Sequence, residues 1–155
     1  MKLNGIAHIY ITVQDFDVCL PFYEQLLPYF DMQCLVRSDS LYYCVGSRTG
    51  IAIRAASEEH AGTPFDQYRA GLHHVCLRAY AREDVDAIHE FVRSIGAKIV
   101  HSPREEDWAP GYYSVLFEDP CGTRLEVNHV PGKGNLDAEV SIPLPDERQS
   151  RLSEP

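Results

Sequence analysis

Two stretches of this chain carry the same alternation of apolar and polar positions. In residues 6–13, Ile9, Ile11 and Val13 alternate with His8, Tyr10 and Thr12. Successive side chains of a strand point to opposite faces, so the spacing predicts a strand with one apolar face and one polar, aromatic face. Residues 72–79 repeat the pattern. Gly5-Ile6-Ala7-His8-Ile9-Tyr10-Ile11-Thr12-Val13 aligns with Gly71-Leu72-His73-His74-Val75-Cys76-Leu77-Arg78-Ala79, a histidine standing fourth in each. Such an internal repeat predicts two copies of one supersecondary unit. Each copy presents an imidazole from an equivalent strand.

The segments between the repeats complete the unit. Asp15 is placed to cap a helix over 16–29, where Phe16, Leu20, Tyr23 and Leu27 recur at helical spacing. Proline is tolerated in a first helical turn, so Pro21 predicts a regular helix beginning nearer Cys19. Strands are expected at 33–38, 41–46 and 50–56, the last two joined by a turn over Gly46–Gly50. Residues 57–70 break the pattern with Gly, Pro and charge, which places a first module at 1–58, a linker at 59–70 and a second module at 71–130.

The second module reads as a strand at 72–79, a helix over about 82–95 ending before Gly96, and strands near 97–101, 112–118 and 123–130. Asp119-Pro120-Cys121-Gly122 forms the turn between the last two. Beyond Val130, Gly and Pro punctuate a polar tail, 131–155, expected as an extended arm. The order β-α-β-β-β, twice, predicts an α+β fold. Each βαβββ module has a curved sheet with a helix on one side and must pair its open face with another copy to enclose a cavity.

Bulk properties narrow the partners. A net charge of −9 disfavours nucleic acid and anionic membranes. No run of about 18 apolar residues exists, so no membrane span is expected. The N-terminal residues, with Lys2 as sole cation before Gln14 and Asp15, make a poor signal peptide. Five cysteines without a C-x-x-C pair suit a reduced, cytoplasmic protein better than a disulfide scaffold. Cys76, two residues after His74, reads as a small buried hydrophobe.

One further residue gives the paired histidines chemical meaning. In Thr123-Arg124-Leu125-Glu126-Val127-Asn128, Leu125 and Val127 take the apolar face, and Glu126 shares the polar face with Arg124 and Asn128. Read alone, a mid-strand glutamate is a solvated edge residue. Together, His8, His74 and Glu126 make a two-histidine, one-carboxylate set, which binds Fe(II), Mn(II) and similar divalent ions while leaving positions open for substrate. The absence of thiolate argues against a closed structural zinc site. His73, next to the second imidazole, is expected to point to the opposite face and serve structure.

These residues resemble the vicinal oxygen chelate superfamily of glyoxalase I, bleomycin and fosfomycin resistance proteins, methylmalonyl-CoA epimerase and extradiol dioxygenases. The resemblance rests on Gly-Ile-Ala-His8-Ile, Phe22-Tyr23, Leu26-Leu27, Gly-Leu-His-His74-Val and Phe117-Glu118-Asp119-Pro120-Cys121-Gly122-Thr-Arg-Leu125-Glu126, and spans nearly all of residues 4–130. It implies paired modules around one divalent metal ion (Fe2+, Mn2+, Ni2+ or Zn2+), with the two histidines and Glu126 as ligands. It also implies bidentate binding of vicinal oxygens, stabilisation of an enolate or oxyanion, and a homodimer. The branch stays open between lyase, isomerase and dioxygenase. Arg54 stands near the place of the fourth ligand in glyoxalase I and cannot ligate a metal. Leu116 and Trp108 depart from the extradiol signature, and the phosphonate cradle and the epimerase glutamine are not evident.

Around the ligands, the polar face would carry Tyr10, Thr12, Arg54, Cys76, Arg78, Arg124 and Asn128. Arginines in an acidic protein suggest an anionic substrate group, and Arg54 is the leading candidate for holding it. Glu126 or Tyr10 is the expected proton shuttle. Trp108, Tyr112 and Tyr113, with Gly111 as hinge, suggest an aromatic lid. The sequence therefore predicts a metal-dependent enzyme acting on a small, anionic or aromatic substrate. The alternative is a bleomycin-resistance-like protein that binds a small ligand without catalysis.

Overall fold

The computed structural model describes residues 2–136. The expected tail lies outside the described residues from residue 137 onward. The chain runs β1 (His8–Val13), α1 (Phe16–Tyr29), β2 (Gln33–Arg37), β3 (Leu41–Gly46) and β4 (Thr49–Ala55). It then repeats as β5 (Val75–Arg78), α2 (Arg82–Ser94), β6 (Lys98–Glu106), β7 (Tyr112–Glu118) and β8 (Arg124–His129). The strands form two four-stranded sheets with one topology, β1-β4-β3-β2 and β5-β8-β7-β6. In each, the first and last strands pair in parallel and the others antiparallel. The fold is α+β, two βαβββ modules, as the doubled pattern predicts.

Helix α1 corrects one expectation. It begins at Phe16 and not near Cys19, so Pro21 lies inside it. Asp15 caps it, its Oδ1 accepting from the Val18 N–H at 3.1 Å. Pro21 deprives only the Asp17 carbonyl of its bond, and both residues sit on the exposed side of the helix. The other side buries Phe16, Cys19, Phe22, Tyr23, Leu26 and Leu27, and that burial outweighs the hydrogen bonds missing at Pro21 and at Pro28. Helix α2 ends as Gly96 predicts. Gly96 has φ +88°, and the Ala97 N–H bonds to the Val92 carbonyl at 2.9 Å, closing a left-handed C-terminal cap.

The modules pack through their apolar faces. Ile9 and Ile11 of β1, Leu26 and Phe30 on the α1 side, and Val75 and Leu77 of β5 share one seam. Across it, Tyr29 stacks on Phe91 with ring centroids 3.7 Å apart. The Asp119 turn supplies a polar joint that the sequence reading missed. Asp119, 3% exposed, accepts the Tyr23 hydroxyl at 2.7 Å and the Cys121 and Thr123 N–H groups at 2.8 Å each. The Asp-Pro-Cys-Gly turn of the second module is thus tied to α1 of the first. With the apolar faces turned inward, the polar faces of both sheets point away from the seam.

Candidate metal centre

The second sheet brings two of the three predicted ligands together. Cys76 of β5 pairs with Glu126 of β8, so the extended lead into β5 sets His74 beside the same carboxylate. His74 Nε2 lies 3.0 Å from Glu126 Oε2, the imidazole one-third exposed and the carboxylate nearly buried. Tyr112 donates its hydroxyl to Glu126 Oε1 at 2.6 Å. Burial pushes the Glu126 carboxyl up, but the hydrogen bonds from His74 and Tyr112 outweigh it and hold the group below its ordinary range. It is therefore an ionised, oriented oxygen donor. Cys76 is exposed, contrary to its reading as a small buried hydrophobe. Desolvation, and then the Glu126 charge, push its thiol up to about 12, so it remains protonated.

His73 departs from expectation. The regular strand begins at Val75, so strict alternation does not govern residues 73 and 74. His73 Nδ1 lies 2.7 Å from His74 Nδ1, the rings nearly perpendicular. Desolvation, then His74, then Arg124 lower its pKa, so it is neutral at pH 7, and which Nδ1 donates follows from the tautomers of the two rings. The aromatic lid also resolves differently. Tyr113 donates to Asp86 at 2.7 Å and lies under the Arg82 guanidinium, on the helix side. Trp108 is tied to Glu106 at 2.7 Å. Of the three aromatic residues, only Tyr112 reaches Glu126, extending past the row of its own strand partner. Arg124 is not an open cation, because Glu118 lies 3.2 Å from its Nε.

His8 sits on the other sheet. It is exposed, edge-on to Tyr10 at 5.5 Å, and Tyr10 in turn stacks over Tyr43. Its register partner is Gly50, where a Cβ would meet Tyr43 Cε2 at 2.7 Å, so glycine is needed for the Tyr43 ring to cover this row. Arg54 pairs with Thr12, two rows beyond His8 on the same face, about 13 Å along the strand. Among the described residues, no three His, Cys, Asp or Glu side chains gather where one ion could be held. A single chain therefore assembles His74 with Glu126 and leaves His8 on a separate open face.

Two βαβββ modules packed back to back, each showing a histidine-bearing polar face, define the class to which the chain belongs. The family model for the Glyoxalase/Bleomycin resistance protein/Dioxygenase superfamily matches residues 5–127, and the chain belongs to that superfamily. Solved structures agree on the fold. A glyoxylase/bleomycin resistance protein/dioxygenase domain from Frankia sp. EAN1pec is 25% identical with a TM-score of 0.65, covering 83% of this chain and 98% of that one. A candidate glyoxalase from Bacillus halodurans is 21% identical with a TM-score of 0.70, covering 82% and 96%. Lactoylglutathione lyase from Agrobacterium tumefaciens is 19% identical with a TM-score of 0.61, covering 83% and 96%. No curated protein matches the chain. No helix among the described residues is long and apolar enough to cross a membrane.

Proposed function

We propose that the protein is a divalent-metal-dependent enzyme acting on a small substrate with vicinal oxygens. His74 and Glu126 of one chain and His8 of a second copy would hold the metal. The observation that carries this reading is the convergence of His74 Nε2 and Glu126 Oε2 at 3.0 Å on an open polar face. An imidazole nitrogen and an ionised carboxylate are fitting donors for Fe2+, Mn2+, Ni2+ or Zn2+. When bound, the metal would supply a Lewis acid that polarises the two oxygens and stabilises an enolate or oxyanion.

The chain's own residues prepare that site. With a metal bound, His73 would accept from His74 Nδ1–H, and Nε2 would exchange its hydrogen bond to Glu126 for ligation through its lone pair. Tyr112 orients Glu126. Tyr10, 53% exposed and one row from His8, is placed to move a proton, and Glu126 is the alternative carrier. Arg54 stands two rows from His8 and is the least well placed of the proposed catalytic residues.

Elemental analysis of the purified protein after dialysis tests the reading, followed by a panel of hemithioacetals, catechols and α-keto acids. Near-stoichiometric metal is expected, lost in His74→Ala together with any turnover. A protein that takes up no divalent ion, yet binds a small aromatic ligand tightly, would instead be a sequestering protein without catalysis.

A further inference from the structure

A second polar feature adjoins Glu126. A cleft of about 180 Å³ opens beside it, with Arg78, Tyr112, Asn128 and Lys133 as its polar lining. In a chain carrying 23 Asp and Glu against 14 Lys and Arg, two cations and no acid line this cleft. Neither Arg78 nor Lys133 has a carboxylate partner among the described residues. They share this with Lys2, Arg48 and Arg54, while the other described lysines and arginines each pair with a carboxylate, and only Arg78 and Lys133 line this cleft. An unpaired guanidinium and ammonium facing one small cleft suit an anion.

The sheet register relates this cleft to the proposed metal centre. Arg78 pairs with Asn128, and Cys76 with Glu126, so the arginine row lies one face position beyond the glutamate row. That step is about 7 Å along the strand. Tyr112 bridges the two, lining the cleft while its hydroxyl holds Glu126. The cleft is smaller than the usual pocket for a drug-sized ligand and has room for a small charged group.

We propose that the cleft of Arg78, Asn128 and Lys133 binds a carboxylate of the substrate. The substrate is then a small carboxylic acid whose vicinal oxygens lie several bonds from that carboxylate. The planar guanidinium of Arg78 meets the carboxylate oxygens side by side, and Lys133 closes over it from the loop after β8. This assigns the anion to Arg78 in place of Arg54. It rests on the proposed metal centre for the position of the vicinal oxygens and on the cleft alone for the charge.

Calorimetric titration with 2-oxoglutarate, its 5-amide and inorganic phosphate tests it, on both Zn2+-loaded and chelator-treated protein. The acid is expected to bind roughly tenfold or more tightly than the amide on the Zn2+-loaded protein, the worth of a hydrogen bond to a charged group, whereas on the chelator-treated protein the amide can place its own 1-carboxylate in the cleft and both should bind. Arg78→Gln should bring the ratio to about 1, and Lys133→Gln should lower it several-fold, with metal uptake unchanged in both. Equal binding of acid and amide by the unsubstituted Zn2+-loaded protein overturns the proposal, as does a preference that survives both substitutions. Displacement of the acid by equimolar phosphate overturns the carboxylate assignment. Acid binding that is lost in Arg78→Gln, in a protein that takes up no metal, would end the metal reading and leave the cleft assignment standing.

Discussion

At the scale of single residues, strand alternation made Glu126 legible and concealed Tyr112. Glu126 shares its face with Asn128 and Arg124 by simple alternation, and it stands where that rule puts it. Tyr112 reaches the carboxylate diagonally, past the Ser114–Asn128 row, and no one-dimensional pattern contains that reach. His73 was concealed for a related reason, since regular pairing starts at Val75 and the two histidines before it follow loop geometry. If Tyr112 orients the carboxylate as a ligand, Tyr112→Phe should weaken metal affinity by roughly tenfold or more, the usual cost of losing such a support. Chelator competition measures this. Stability should also fall, by about 1–3 kcal/mol, because Glu126 is nearly buried and loses one of its donors, so affinity is compared where both proteins are folded. An unchanged affinity would reduce the tyrosine to a packing role.

At the scale of elements, hydrophobic periodicity located both long helices and all eight strands, but β6 runs on to Glu106 past the expected end at 101 and the short helical turns at Glu58–His60 and Gly134–Leu136 left no such signal, while other errors fall where burial overrides a local rule. Pro21 was read as a helix boundary, yet the cap at Asp15 and the buried side of α1 carry the helix through it. The Asp119 turn was read as a turn alone, yet its carboxylate joins the modules through Tyr23. A contact 96 residues apart in sequence leaves no local signature. Tyr23→Phe should cost about 1–3 kcal/mol at neutral pH, because Asp119 stays buried with one donor fewer. The pH dependence has a definite sign. Burial, and then the Asp119 charge, raise the Tyr23 pKa well above its usual 10.0. The folded state therefore holds this proton more tightly than the unfolded state, so the contribution is whole below about pH 10 and declines as pH rises further. Chemical denaturation across that range should show a steeper alkaline loss in the unsubstituted protein than in Tyr23→Phe. Parallel curves would mean that the hydroxyl is not the titrating group.

At the scale of the whole molecule, the repeat foretold two equivalent imidazoles, and the packing decides whether they meet. Turning both apolar faces to one seam sends the polar faces outward, so the arrangement that builds the core separates His8 from His74 and Glu126. Two-fold pairing of chains, as proposed above, would resolve the conflict. If the first sheet of one copy faces the second sheet of the other, the same contact occurs twice and encloses two equivalent cavities. Nothing in a single sequence distinguishes this from closure within one chain, because both satisfy the same alternation. Mixed subunits do distinguish them. His8→Ala and His74→Ala should each take up almost no metal alone. After unfolding and refolding together, a mixed pair would hold one site with both mutations and one with neither, since the intact His8 of one chain meets the intact His74 and Glu126 of the other. With random pairing, half of the dimers are mixed and each regains one of its two sites, so metal content should return to about one quarter of the unsubstituted level. Closure within each chain predicts no recovery at any mixing ratio, because every site would then carry one of the two substitutions.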